Sequence, residues 1–260
     1  MFMQLLDEKQ IESVPCILEK KWQYDAFKCF KEKLSDINNP FPCIPATIGF
    51  KLNHFRYVFL GDPRLKETPA ELAGMLKKYG QKSKSFGHYT SLIAIFHTPE
   101  DLIRKYTIED YRLLFWSLLS EIRTLDEIEW PSHIPRDPEH HVWEYCFGGE
   151  QYFMYCATPS HKKRRSRYFP YFIFAITPRW VLEQFNLKIE SANKIRKNIR
   201  NRIVNYDKVE IHPDLHLYGS EENFEWKQYF LSDDLSSSSK CPFSFFHISN
   251  NEKVPKHKDE

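Results

Sequence analysis

The sequence predicts an α+β fold, a single domain in which a mixed or antiparallel, aromatic-rich sheet packs with amphipathic helices. Short apolar and aromatic runs of strand length recur between windows of helical periodicity. The chain is 260 residues long, near the size at which one core stops growing, and no linker-like composition interrupts residues 1–235. Glycine is scarce, at 8 residues, and aromatics reach 16%, which implies a rigid, ring-packed interior. Residues 236–260 read as a largely flexible tail with a docking segment at 241–246.

In chain order, Trp22, Ala26, Phe30, Leu34 and Ile37 draw one apolar stripe on a helix over about 22–37, which Asn38, Asn39 and Pro40 end. Pro42 and Pro45 then hold Cys43 on a stiff, non-repetitive segment, where a thiol can ligate a metal, react, or pack in a loop. Residues 55–60 read as a strand. Thr68-Pro69, Thr98-Pro99, Thr158-Pro159 and Thr177-Pro178 each join an N-cap residue type to a proline suited to a first helical turn, so each is expected to begin a helix. The last three pairs follow strand-like runs at 92–96, 151–156 and 171–176. Ile108, Tyr111, Phe115, Leu118, Ile122 and Leu125 mark a strong amphipathic helix over about 108–129. The adjacent His140 and His141 would diverge on any regular element and do not by themselves suggest a metal site. Residues 187–203 predict a further helix with Ala192, Ile195, Ile199 and Ile203 on one side, and the chain from 204 reads as extended.

Net charge is +2 with a pI near 8.1, too balanced for a protein that coats nucleic acid. No apolar run approaches membrane-span length, and Asp7 and Glu8 interrupt any leader, so a cytoplasmic location is expected. The six cysteines show neither CxxC pairs nor regular spacing, which supports neither a zinc ribbon nor a disulfide framework.

The basic charge is local. Between Gln151 and Leu182 no carboxylate occurs, whereas Lys162, Lys163, Arg164, Arg165, Arg167 and Arg179 supply six cations. They flank an expected hairpin of 143–147 and 151–156, turned by Gly148, Gly149 and Glu150, and a continuously apolar strand at 171–176. Arg164, Arg165 and Arg167 suit bidentate grip of a carboxylate or phosphate. If Thr158 caps a helix, His161 falls in its first turn, where neighbouring cations favour a neutral ring able to bond backbone, ligate a metal or move a proton. Glu144 and Glu150, the nearest acids in sequence, could neutralise an arginine or grip a cationic substrate.

Asn39 to Cys43, Trp143 to Glu150, Thr158 to His161 with Arg164 to Arg167, Pro178-Arg179, Tyr218-Gly219, Glu225 to Tyr229 and Cys241 to Phe243 together resemble the bacterial YqcI/YcgG family, in order over nearly the whole chain. One position departs from that pattern: His216 stands where relatives have glycine. Some relatives are heme-dependent guanidino N-hydroxylases. The resemblance therefore implies a heme, a small arginine-like substrate, and an external electron donor or redox partner. It implies His161 as iron ligand, with Cys43 as the alternative. Arg164, Arg165 and Arg167 would hold the propionates, and Glu144 or Glu150 would pair with a guanidinium. Two alternatives stand beside this reading: a non-catalytic heme-binding protein, and a phosphate- or nucleic-acid-binding module that uses the basic cluster.

Overall fold

A computed structural model of the chain describes residues 4–14, 17–184, 189–216 and 221–243. It is a mixed α+β protein with an aromatic-rich core. Five strands, β1 (Arg56–Leu60), β2 (Leu92–Phe96), β3 (Tyr145–Phe147), β4 (Glu150–Ala157) and β5 (Ile173–Pro178), form one sheet in the order β1-β2-β5-β4-β3. β1 and β2 run parallel, and the other three pairings are antiparallel. The helices are α1 (Glu8–Ser13), α2 (Lys21–Ser35), α3 (Ile44–Lys51), α4 (Thr68–Lys82), α5 (Glu100–Lys105), α6 (Ile108–Thr124), α7 (Arg179–Glu183), α8 (Ile189–Asp207) and α9 (Glu225–Tyr229). None among the described residues is long and apolar enough to cross a membrane.

The hairpin forms as its glycines dictate. Gly148 and Gly149 have φ of 61° and 77°, and Phe147 pairs directly with Glu150, so the turn has two residues, both in the left-handed region that glycine tolerates. Glu150 consequently opens β4 instead of lying in the turn.

Local rules fail where side chains find better partners. None of the four threonines acts as a helix N-cap. The Thr68 hydroxyl donates to the Asp62 carbonyl at 2.7 Å, Thr98 accepts the Phe172 amide at 2.8 Å, and Thr177 bonds Ser91 at 2.7 Å. Pro99 and Pro178 occupy the N-cap positions of α5 and α7, and Thr158-Pro159 starts no helix. The expected stiff loop after Cys43 is instead α3, with Pro45 in its first turn, where a missing amide is harmless. α8 continues to Asp207, beyond the expected end at 203.

The two sheet faces differ in how they are covered. Leu92, Ala94 and Phe96 of β2, Phe174 and Ile176 of β5, and Met154 and Cys156 of β4 point into a closed core with α4 and α6. On the opposite face the register aligns Ile93, Ala175 and Tyr155 in one row and Ile95, Ile173 and Ala157 in the next. Here α2, α3 and α8 do not fully close over the sheet. Ala175 and Thr177 stay partly exposed although β5 is the middle strand, so the 171–176 run is buried on one face and not on both. Of the expected docking segment 241–246, Phe243 is buried among Trp116, Trp130, Trp143 and Tyr145, and residues 244–246 lie outside the described residues.

This asymmetry is testable on adjacent strands. Ala94→Leu, on the closed face, should destabilise by about 1–3 kcal/mol through overpacking, whereas Ala175→Leu should stay within about 0.5 kcal/mol of the parent in urea unfolding. Equal losses would mean that the second face is as tightly filled as the first.

Candidate functional site

The gap over the second face is a cavity of about 410 Å³, within the range of pockets that take small molecules and cofactors. Its floor includes Ile93, Ala175, Tyr155 and Phe153; Phe30 and Leu34 of α2, Ala46 of α3 and Ile195, Ile199 and Ile203 of α8 also line it. Small residues create the space: Ala175 and Ala157 on the sheet meet Ala46 on α3, where bulkier side chains would close it. The apolar stripe expected on residues 187–203 thus lines a cavity at Ile195, Ile199 and Ile203. The charged lining is lopsided. Lys33, Arg164, Arg167, Arg179 and Arg196 face it, against the carboxylates of Asp207 and Glu225.

Cys43 lines this cavity. It precedes α3 as its N-cap residue and is partly buried. Burial raises the thiol above its ordinary pKa, while the Ala46 amide and the charge of Arg167 pull it down.

His161 lies elsewhere. It is buried and absent from the cavity lining, with Nδ1 2.9 Å from Thr158 Oγ1 and Nε2 2.8 Å from the Leu231 carbonyl. A carbonyl only accepts, so Nε2 carries the proton and Nδ1 takes the threonine hydroxyl; both ring nitrogens are engaged by protein. Burial holds the imidazole neutral, with its pKa down at about 4.

The basic turn is anchored rather than splayed toward solvent. The backbone amides of Lys162, Lys163 and Arg164 converge on the Asp233 carboxylate at 2.7, 3.0 and 2.9 Å, and burial notwithstanding these bonds hold the Asp233 pKa below the usual range. Arg164 donates to the carbonyls of Ser232, Glu210 and Asp234 and lies 3.7 Å from Asp207. Arg167, buried, donates to the carbonyls of Cys156, Tyr229 and Gln228 and stacks over Tyr155 at 4.4 Å. Among the described residues it has no acid within ion-pair distance. Arg165 is exposed, stands over the Tyr206 ring at 5.6 Å and does not line the cavity. The helix α8 does neighbour this turn, through Tyr206 and through Asp207, which accepts from Ser166 N and Oγ at 2.6 and 2.8 Å. Because Arg164 and Arg167 are buried, the two basic segments do not merge into one surface stripe.

Lys33, a cation that sequence reasoning did not single out, joins them from α2. Its ammonium donates to the carbonyls of Arg165 and Tyr168, both at 2.9 Å, and burial lowers its pKa to about 8. Its place one turn after Phe30 on the buried stripe was the available signal.

Neither Glu144 nor Glu150 lines the cavity. Glu144 is fully buried just before β3 and pairs with Arg179 Nε at 2.7 Å. Glu150 is partly buried at the hairpin, where burial raises its pKa and Lys84 opposes the rise. Besides Asp207, the acid that reaches the cavity is Glu225, which also bonds Arg179 and lies 3.1 Å from the Tyr229 hydroxyl. Its signal was an isolated carboxylate inside the aromatic run FEWKQYF. Among the described residues, no group of three or more His, Cys, Asp or Glu side chains could hold a metal ion.

The chain is 50% identical over 222 residues to YqcI of Bacillus subtilis (strain 168), covering 85% of this chain and 87% of the relative. It is 48% identical over 225 residues to YcgG of the same organism, covering 86% and 89%. A Streptomyces lavendulae protein named "Putative N(omega)-hydroxy-L-arginine synthase DcsA" is 30% identical over 230 residues, covering 86% and 84%. No solved structure matches the chain. The model of the YqcI/YcgG family matches residues 30–244, and the chain belongs to that family.

Proposed function

We propose that this protein is a heme-dependent oxygenase that hydroxylates a guanidino nitrogen of arginine or a related amino compound. One observation carries the reading: Cys43 lines an apolar, cation-bearing cavity of about 410 Å³. The Streptomyces relative, whose name states an arginine N-hydroxylation product, supports the reaction class.

The lining fits a heme in three respects. A porphyrin needs an apolar slot, and the row of Ile93, Ala175 and Tyr155 with Ala46 opposite offers one. Its two propionates need cations. Arg167 and Lys33 are held by carbonyls with no acid within ion-pair distance among the described residues, an arrangement that an anionic ligand would complete. Its iron would need a protein ligand, and Cys43 is favoured over His161 because it lines the cavity, whereas both nitrogens of His161 are engaged outside it. When bound, heme would activate oxygen with electrons from an external reductant, and a thiolate ligand favours O–O cleavage.

The chain's own contributions are positional. Arg167 and Lys33 would grip the propionates, with Arg164 fixing the turn that carries Arg167. The Ser91 and Thr177 hydroxyls, bonded to each other at 2.7 Å, give polar contacts on the cavity floor. The aromatic and aliphatic parts of the walls would limit water around the reacting nitrogen.

Heme titration followed by absorbance should show a Soret band whose ligand signature changes in Cys43→Ala and persists in His161→Gln, the latter losing about 1–3 kcal/mol of stability. The reverse pattern would assign the iron to His161. Ala175→Leu should keep the fold and lose heme uptake; normal uptake would place the macrocycle elsewhere. With a reductase and NADPH, heme-loaded protein should add one oxygen atom to arginine, as read by mass spectrometry. A Soret band without product from arginine or other guanidino compounds would reduce the protein to a heme binder.

A further inference from the structure

We propose that Glu225 anchors the cationic group of a guanidino substrate in the cavity, and that binding there expels a proton. The substrate class rests on the reading above, whereas the choice of residue rests on the structure. Two carboxylates reach the cavity. Asp207 is committed to Ser166 and lies beside Arg164, among the cations, where a positive ligand is repelled. Glu225 is the acid that remains.

Its surroundings leave a requirement for positive charge. Among the described residues, the cation within ion-pair distance of Glu225 is Arg179, and Glu144 takes the same guanidinium through Nε at 2.7 Å. Two buried acids therefore contact the same guanidinium. Burial first, opposed by Arg179 and reinforced by Glu144, lifts the Glu225 carboxyl to about 7. The groups facing it are Arg179 of α7, Glu144 from the segment before β3, and the Tyr229 hydroxyl of α9. Lys227, on α9 itself, lies over the Phe224 and Trp226 rings, and His216 lines the same cavity. A guanidinium placed against Glu225 adds a positive charge beside a carboxyl that burial keeps protonated and favours the ionised form, so the proton held there leaves for solvent.

Arg179 has a separate part as a positioning residue. It fixes the Glu225 carboxylate from one side, and the Tyr229 hydroxyl, which also accepts the Tyr145 amide at 3.2 Å, fixes it from another. A carboxylate so restrained loses little side-chain freedom on binding.

The test is calorimetric titration of heme-loaded protein with L-arginine and with citrulline, its uncharged isostere, in buffers of different ionisation enthalpy. The parent protein should prefer arginine, weaken its grip about tenfold between pH 8 and pH 6, and release about half a proton at pH 7, as a carboxyl near that pKa requires. Glu225→Gln keeps the shape and should lose about thirtyfold or more in arginine affinity, flatten the pH dependence and release no proton. Glu225→Asp should recover part of the affinity. Unchanged affinity or unchanged proton release in Glu225→Gln overturns the assignment, as does failure of the parent protein to bind arginine, agmatine or guanidinoacetate. The Soret band is read separately: its absence from a parent protein that still binds arginine through Glu225 would sink the heme reading and leave this one standing.

Discussion

The middle strand of the sheet sets the rest. β5 alternates large and small side chains: Phe174 and Ile176 fill the closed face, and Ala175 and Thr177 leave the other low. Paired on both edges, the strand cannot shift sideways to relieve that shortage. The register lines Ala175 up with Ile93 and Tyr155, and Ala46 on α3 lines the same cavity. A face with too little side-chain volume cannot be closed by helices that already rest on bulkier neighbours, and a cavity is the consequence. Space for a ligand is thus built into strand composition and not left to loops.

A cavity in a core would ordinarily be dry and neutral, and this one has charged groups in its walls. Taking a guanidinium out of water is expensive unless hydrogen bonds replace its hydration. Arg167 meets that condition with backbone carbonyls, which satisfy donors without cancelling charge, and Arg164 combines three such carbonyls with Asp207 at 3.7 Å. Carbonyl cages differ from salt bridges in this respect: they keep the field of the cation available to a ligand. Asp233 contributes indirectly, by gathering three amides of the turn that carries the arginines. The same contacts tie residues 231–234 to the body, so the basic cluster serves the fold and the cavity together.

Much of this was legible in the sequence where the signal was periodic or conformational. β2 at 92–96, the amphipathic helix from Ile108 and the glycine turn at 148–149 followed from spacing and φ requirements alone. The concentration of cations near 160–167 was equally plain, and so was Cys43 as one of two candidate ligands. What periodicity could not supply was direction. His161 and Cys43 each lie within two residues of a proline, and only the fold sets one against the Leu231 carbonyl and the other in the cavity lining. The threonines misled for a related reason: a hydroxyl bonds the nearest good partner in three dimensions, and for Thr98 and Thr177 that partner lies on another strand or loop. Glu225 escaped notice because its partners, Arg179 and Glu144, are 46 and 81 positions away in the chain.

The five-residue helix α9 sets charge at both of its ends. Five residues are too few to be helical alone, so α9 exists through its contacts: Trp226 and Tyr229 are buried, and its last carbonyls need donors. Arg167 supplies them to Gln228 and Tyr229, placing a cation at the negative end of the helix. Glu225 opens the helix, placing an acid at the positive end. Three residues at about 1.5 Å rise separate Glu225 from the Gln228 carbonyl, roughly 4.5 Å along the axis. The interactions that make α9 stable therefore also fix an anion-seeking group and a cation-seeking group at its two ends, both lining one cavity. A ligand pair of opposite charge, such as a propionate-bearing macrocycle and a guanidinium, would find its two counter-charges already set on a single turn and a half of backbone.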